Sequence, residues 1–195
     1  MLNYEQKYIA QNYKLIAGID EAGRGPLAGP VSVACVIMPL GSRIEGINDS
    51  KKISEKRREL LYELIIEQAI AYSIVMLDSK IIDEINILQA TKKAMRETVA
   101  KLDIQPDVVL VDAVKLDLDI ETEGIIKGDT LSYNIAAASI LAKVSRDRLM
   151  REYDAIYPKY GFAKHKGYGT KEHINAIREY GATPIHRKTF ITKFV

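Results

Sequence analysis

Cysteine is nearly missing from this chain of 195 residues: Cys35 stands alone. One cysteine cannot form an internal disulfide, and its place inside the apolar run VSVACVIM marks it as core filler. No uncharged apolar run approaches the ~20 residues that a membrane span needs. The opening MLNYEQKYIAQNY lacks the apolar core of a signal peptide, so a cytoplasmic location is expected. Internal repeats, low-complexity tracts and a long linker are also missing. Two catalytic signatures are absent as well. The glycine-rich stretch GRG…LAG matches neither the P-loop nor the dinucleotide fingerprint, and it precedes a strand where both of those precede a helix. No G-x-S-x-G elbow exists to support a Ser–His–Asp hydrolase.

What remains is an ordinary globular composition, 47% hydrophobic and 28% charged, long enough to bury a full core. The formal charge of +2 is small, so the distribution of charge matters more than its sum. Short β-branched runs at 14–20, 30–38, 71–77, 107–113 and 120–126 read as strands. Ser54 is placed to cap a helix carrying Leu60, Leu61, Leu64 and Ile65 at helical spacing. A second helix puts Ile85, Leu88, Met95, Val99 and Leu102 on one face, with Pro106 beyond its end. A long helix spans 131–153, with Leu131, Ile135, Ala138, Ala142, Ser145 and Leu149 on one side. A short one follows at 171–180. The order β-β-β-α-β-β-α, with a helical C-terminal part, argues for an α/β domain with a mixed sheet.

Carboxylates stand at the ends of these strands, or just before a helix: Asp20 with Glu21, then Asp112, then Asp129. Side chains from different strand ends can converge on one cleft. Adjacent residues of a regular strand face opposite sides. If Asp20 and Glu21 share a site, the chain must bend there, and Gly23 and Gly25 permit that. Crowded carboxylates repel one another unless protons or a cation compensate them. An all-oxygen set favours Mg²⁺ or Mn²⁺ over zinc. Carboxylate-held Mg²⁺, completed by substrate phosphate, is a usual arrangement for phosphoryl transfer. Taken singly, each acid could equally be a solvated strand end or a cap.

Basic residues cluster at Lys51, Lys52, Lys56, Arg57 and Arg58, along 143–148, at Lys164–His165–Lys166, and at His186–Arg187–Lys188. The segment KHKGY interleaves charge, glycine and an aromatic ring, which suits phosphate contact with stacking. An acidic metal site in basic surroundings points to a nuclease more than to a passive nucleic-acid binder.

In order along the chain, GIDEAGRGPLAGPV, NDSKKIS, INILQAT, VLVDA, KGD, AAASILAKVSRD, YGFAKHKGYGT and HRKTF resemble the type 2 ribonuclease H (ribonuclease HII) family, from about Leu15 to Phe190. The resemblance implies a ribonuclease H-like α/β fold, with a five-stranded mixed sheet, flanking helices and a C-terminal helical region. It implies one catalytic domain over 1–195, with 155–195 a substrate-contacting extension. Asp20, Glu21, Asp112 and Asp129 would hold two divalent ions, Mg²⁺ or Mn²⁺. Gly23, Arg24 and Gly25 would meet the substrate around a ribose 2′-OH, and Tyr168 would pack on the following deoxyribose. Lys51 and Lys143 are implied as phosphate contacts. Asp147 is left out of the site, as the partner of a neighbouring arginine. The implied substrates are RNA–DNA hybrids and duplex DNA with embedded ribonucleotides, cut to leave 3′-hydroxyl and 5′-phosphate ends, in ribonucleotide removal and RNA primer removal. A monomer is expected. The short leader before the first strand disfavours the type 3 branch, and the ending FITKFV shows no obvious sliding-clamp peptide. The rivals are a non-catalytic nucleic-acid binder of the same fold and a related nuclease with a different substrate.

Overall fold

Five of the apolar runs become strands of one mixed sheet. The computed structural model describes residues 2–47 and 53–195. The strands are β1 (Ile16–Ala22), β2 (Val31–Ile37), β3 (Ala71–Leu77), β4 (Val108–Asp112) and β5 (Glu121–Ile125). They lie in the order β3-β2-β1-β4-β5. The first three form an antiparallel meander, while β4 and β5 add in parallel on the other side of β1. Being central, β1 is buried from Ile16 to Asp20.

Period-2 alternation assigns the two faces. Ala17, Ile19, Val33 and Cys35 pack under Met95 and Val99 of a helix, α3 (Ser79–Ala100). Ala34 and Val36 face Leu61 and Ile65 of α2 (Glu55–Gln68), and Ala137 and Leu141 of α5 (Tyr133–Ile156). Gly18 is what lets α5 lie so close to β1. A Cβ there would stand 2.2 Å from the Asn134 carbonyl carbon and 2.3 Å from the Ile135 nitrogen. From Tyr133 to Ala142 every α5 residue is buried, as expected of a helix apolar all round.

Three expectations shift. The first strand starts at Ile16 and runs on through both acids to Ala22, because its ladder with β2 continues to the Ala22–Ser32 pair. The helix expected over 131–153 is two: α4 (Gly128–Leu131) and α5, which restarts where the Ser132 hydroxyl accepts from Ile135 N–H at 3.2 Å. Leu131 therefore leaves the buried stripe. In α3, Asn86 has a left-handed φ of 64° and its side chain accepts from the N–H groups of Leu88 and Gln89 at 3.0 and 3.1 Å. This local cap breaks the phase, so Leu88 is exposed while Met95 and Val99 stay buried. Ser54 does cap α2, accepting from Arg57 N–H.

The leader forms α1 (Asn3–Ile9), whose buried Glu5 accepts from Ser132 Oγ at 2.6 Å and Asn134 N–H at 3.1 Å. Beyond α5 come α6 (Phe162–His165), α7 (Lys171–Tyr180) and α8 (Lys188–Ile191). This C-terminal region closes over the β1–β2 loop. Phe162, Tyr160 and Ala176 pack with Ala28 and Met150, and Ile177 and Ile191 with Leu27. Leu27 N–H also donates to Gly167 O, and Arg187 N–H to Leu27 O, both at 2.8 Å. No helix among the described residues is long and apolar enough to cross a membrane.

Candidate active site

Sheet register brings the acids together. Val109 and Val111 of β4 share the α3 face with Ala17 and Ile19, so Asp112 and Asp20 fall on the opposite face, towards α5. They lie one step beyond the Ile19–Val111 pair. Asp112 Oδ1 accepts from Gly128 N–H at 2.7 Å, which fixes the short helix carrying Asp129. Gly128 packs closely there: a Cβ would come 2.6 Å from the Ile135 Cδ1 methyl, which would have to move aside.

Asp20, 6% exposed, has its carboxyl pushed well above the usual range, first by burial and then by the charges of Glu21, Asp112 and Asp129. One hydrogen bond from Glu21 N–H, at 2.7 Å, opposes that shift. The four predicted acids thus form one electrostatic cluster. Among the described residues they do not close into a ready-made metal shell. The donor chemistry nevertheless fits a hard divalent ion, because uncompensated carboxylate charge is what such an ion offsets. Mg²⁺ in particular is commonly held by one or two carboxylates, with water and substrate phosphate completing its shell.

Asp20 and Glu21 line a cleft of about 220 Å³ together with Ala22, Gly23, Arg24, Gly25, Ser139, Lys143 and Tyr168. No break separates the two acids; the bend comes after Ala22, where Gly23 takes φ 91°. Glu21 there pairs with Arg24 at 3.2 Å. Tyr168 is 44% exposed, and its ring stands beside Gly25, where a Cβ would lie 3.8 Å from Cε1.

Several basic residues have other duties. Lys143 lines the cleft, but its ammonium binds Asp147 Oδ1 at 2.7 Å. Asp147 therefore pairs with a lysine one turn back rather than with an arginine. Burial depresses the Lys143 ammonium, and Asp147 partly restores it. Lys166 is buried and donates to the Ala163 carbonyl, so the expected KHK phosphate patch reduces to exposed Lys164, itself paired with Glu172 at 2.7 Å. His165 is buried against the Tyr160 carbonyl. Lys51 lies outside the described residues.

Two arginines that sequence reasoning did not assign to the site hold its loop. Arg146 is 1% exposed and Arg187 is 0%. Arg146 donates to the carbonyls of Pro30, Lys166 and Ala28 at 2.9, 2.9 and 3.0 Å. Arg187 donates to Gly29, Arg24, Gly23 and Pro30 at 3.0, 2.8, 2.5 and 3.2 Å. Burial lowers Arg146 to about 10; burial and the Arg146 charge lower Arg187 to about 9. A sequence signal existed for Arg146, which repeats at helical spacing between Ala142 and Met150 on the buried side of α5. Arg187 carries no such local signal.

The sequence model of ribonuclease HII matches residues 17–193. The ribonuclease HII of Ruminiclostridium cellulolyticum is 58% identical over the whole of this chain and 77% of its own length. Among solved structures, the ribonuclease H2 of Pyrococcus horikoshii OT3 superposes with a TM-score of 0.77 at 28% identity, over 92% of this chain and 96% of that one. The ribonuclease HII in the PCNA complex from Archaeoglobus fulgidus gives 0.74 at 25% identity, over the same shares. With the four acids in one electrostatic cluster and relatives matched over the full chain, this protein belongs to the ribonuclease HII family, metal-dependent endoribonucleases that hydrolyse the RNA strand of RNA–DNA hybrids.

Proposed function

We propose that this chain cuts both RNA in RNA–DNA hybrids and single ribonucleotides embedded in duplex DNA, leaving 3′-hydroxyl and 5′-phosphate ends. The observation that carries this is the meeting of Asp20, Glu21, the Gly23–Arg24–Gly25 loop and Tyr168 in one cleft. Asp20, Glu21, Asp112 and Asp129 are the residues to hold two divalent ions, Mg²⁺ or Mn²⁺. When bound, such ions supply activation of water and relief of charge at the leaving oxygen.

The chain's own residues do the recognition. Only the 2′-OH separates ribose from deoxyribose, and it both donates and accepts. The loop backbone can reach it because glycine holds nothing in the way. The half-exposed ring of Tyr168 next to Gly25 suits packing against a sugar that lacks this hydroxyl, which gives a check on the RNA–DNA junction. Lys143 lies in the cleft to meet phosphate, once its pairing with Asp147 is loosened or shared. Residues 155–195 act as a substrate-contacting extension of a single catalytic domain. The corresponding roles are ribonucleotide removal from DNA and RNA primer removal, by a cytoplasmic monomer.

The test is cleavage of a duplex with one ribonucleotide, with and without Mg²⁺, followed by analysis of the product ends. Metal-dependent incision beside the ribonucleotide with 3′-hydroxyl ends is expected. Cleavage confined to long hybrids would remove the embedded-ribonucleotide activity from the proposal.

A further inference from the structure

The β1–β2 loop is turned inwards. The carbonyl oxygens of Gly23, Arg24, Gly29 and Pro30 all point at the Arg187 guanidinium, and those of Ala28 and Pro30 at Arg146. Pro30 O is shared, so two like charges sit side by side. Among the described residues neither is paired with a carboxylate. Desolvating two guanidinium groups with no counter-anion is costly. The hydrogen bonds to the loop carbonyls offset that cost. An apolar side chain would leave those carbonyls without a donor, so the two arginines fix which way the loop carbonyls face.

Peptide geometry extends this to the N–H groups. No peptide bond in the chain is cis. In a planar trans peptide each N–H points opposite to the carbonyl that precedes it. With Gly23 O and Arg24 O directed at Arg187, the N–H groups of Arg24 and Gly25 are directed away from it. Neither N–H has a hydrogen bond among the described residues. Both residues line the cleft beside Asp20 and Glu21. Two successive, unused N–H donors make a concavity suited to an oxygen-rich ligand, and the positive charge behind them strengthens it.

We propose that Arg187, backed by Arg146, is a positioning residue for ribonucleotide recognition, which turns the Arg24 and Gly25 amides towards the sugar hydroxyl and its adjacent phosphate. Arg146 extends this control to the other wall of the cleft. It binds Lys166 O, two residues before Tyr168, and its guanidinium lies 6.0 Å from the Tyr168 ring centre. Gly23 fits the scheme: a Cβ there would stand 2.1 Å from Arg146 Nε. The guanidinium fork is essential, because lysine keeps the charge but cannot span four carbonyls from one planar group.

This inference rests on the proposed recognition of ribonucleotides, and the experiment separates the two. Binding is measured without metal, to a duplex carrying one ribonucleotide and to the same duplex in DNA alone. The wild-type protein is expected to prefer the former; if it does not, the recognition reading itself has failed. Arg187→Lys is expected to lose about fivefold of that preference, the scale of one hydrogen bond, while holding DNA alone within about twofold. Arg146→Lys is the second variant, with a smaller loss in the same direction. Circular dichroism and thermal melting establish that each variant is folded. A folded Arg187→Lys with undiminished preference, or with equal loss on both duplexes, overturns the proposal. Failure of both lysine variants to fold also overturns it, in favour of a purely structural pair.

Discussion

The Nε2 atoms of His173 and His186 lie 3.0 Å apart, with both rings buried. Only one proton fits between them, and the flanking bonds say whose it is. Thr183 N–H donates to His186 Nδ1 at 2.9 Å, so His186 carries its proton on Nε2 and donates to His173. His173 then carries its own on Nδ1 and donates to Tyr168 O at 2.9 Å. A relay of two neutral histidines thus ties the 183–186 turn to the backbone of the cleft tyrosine.

That relay predicts acid sensitivity. Burial lowers both histidines to about 4 from an ordinary 6.5. The unfolded chain takes up their protons first, so their stabilisation is complete above pH 6.5 and is lost as pH falls towards 4. Between pH 7 and 5 the melting temperature is expected to drop by about 4 °C or more. His186→Asn should lower the melting temperature at pH 7 and flatten that dependence. An unchanged slope in the variant would mean that other groups titrate there.

Asp112→Asn keeps an oxygen that can accept from Gly128 N–H, so the fold and the α4 turn should persist. Cleavage is expected to fall by roughly two orders of magnitude or more. Metal-free binding of a hybrid should hold or tighten, since one negative charge near phosphate has gone. Retention of substantial cleavage would remove Asp112 from the metal site.

Lys143 and Lys166 separate charge from architecture. Lys143→Ala should shallow the salt dependence of hybrid binding by about one unit, equally across base sequences. Lys166→Ala should leave that slope alone and lower the melting temperature, because its ammonium is tied to Ala163 O. The reverse pattern, read by binding titrations at several salt concentrations, would restore the KHK segment as a phosphate patch.

Tyr168→Ala is expected to cost much more activity on a single embedded ribonucleotide than on a long hybrid, which offers a 2′-OH wherever the enzyme binds. Tyr168→Phe keeps the ring and should stay close to wild type on both. Parallel rate measurements on the two substrates decide it; equal losses for Tyr168→Ala would make the tyrosine a general packing residue.

The sequence alone determined the five strands, the capped α2, the short helix α7, and the order of acids along the chain. These follow from local physics: apolar periodicity, turn residues and capping side chains act within a few residues. It also determined the family, through motifs spread over nearly the whole length. What it could not decide was which charges are at the surface. Lys143, Lys166 and Arg187 look alike in a list of basic residues, yet one lines the cleft against Asp147, one caps a carbonyl, and one is buried under the loop. Asp147 met a lysine instead of an arginine because Arg146 turns inward to carbonyls contributed by residues 28, 30 and 166. Those partners lie 20 to 118 residues away. Only packing of the C-terminal region over the β1–β2 loop brings them together, and so only the tertiary structure decided how the loop backbone faces.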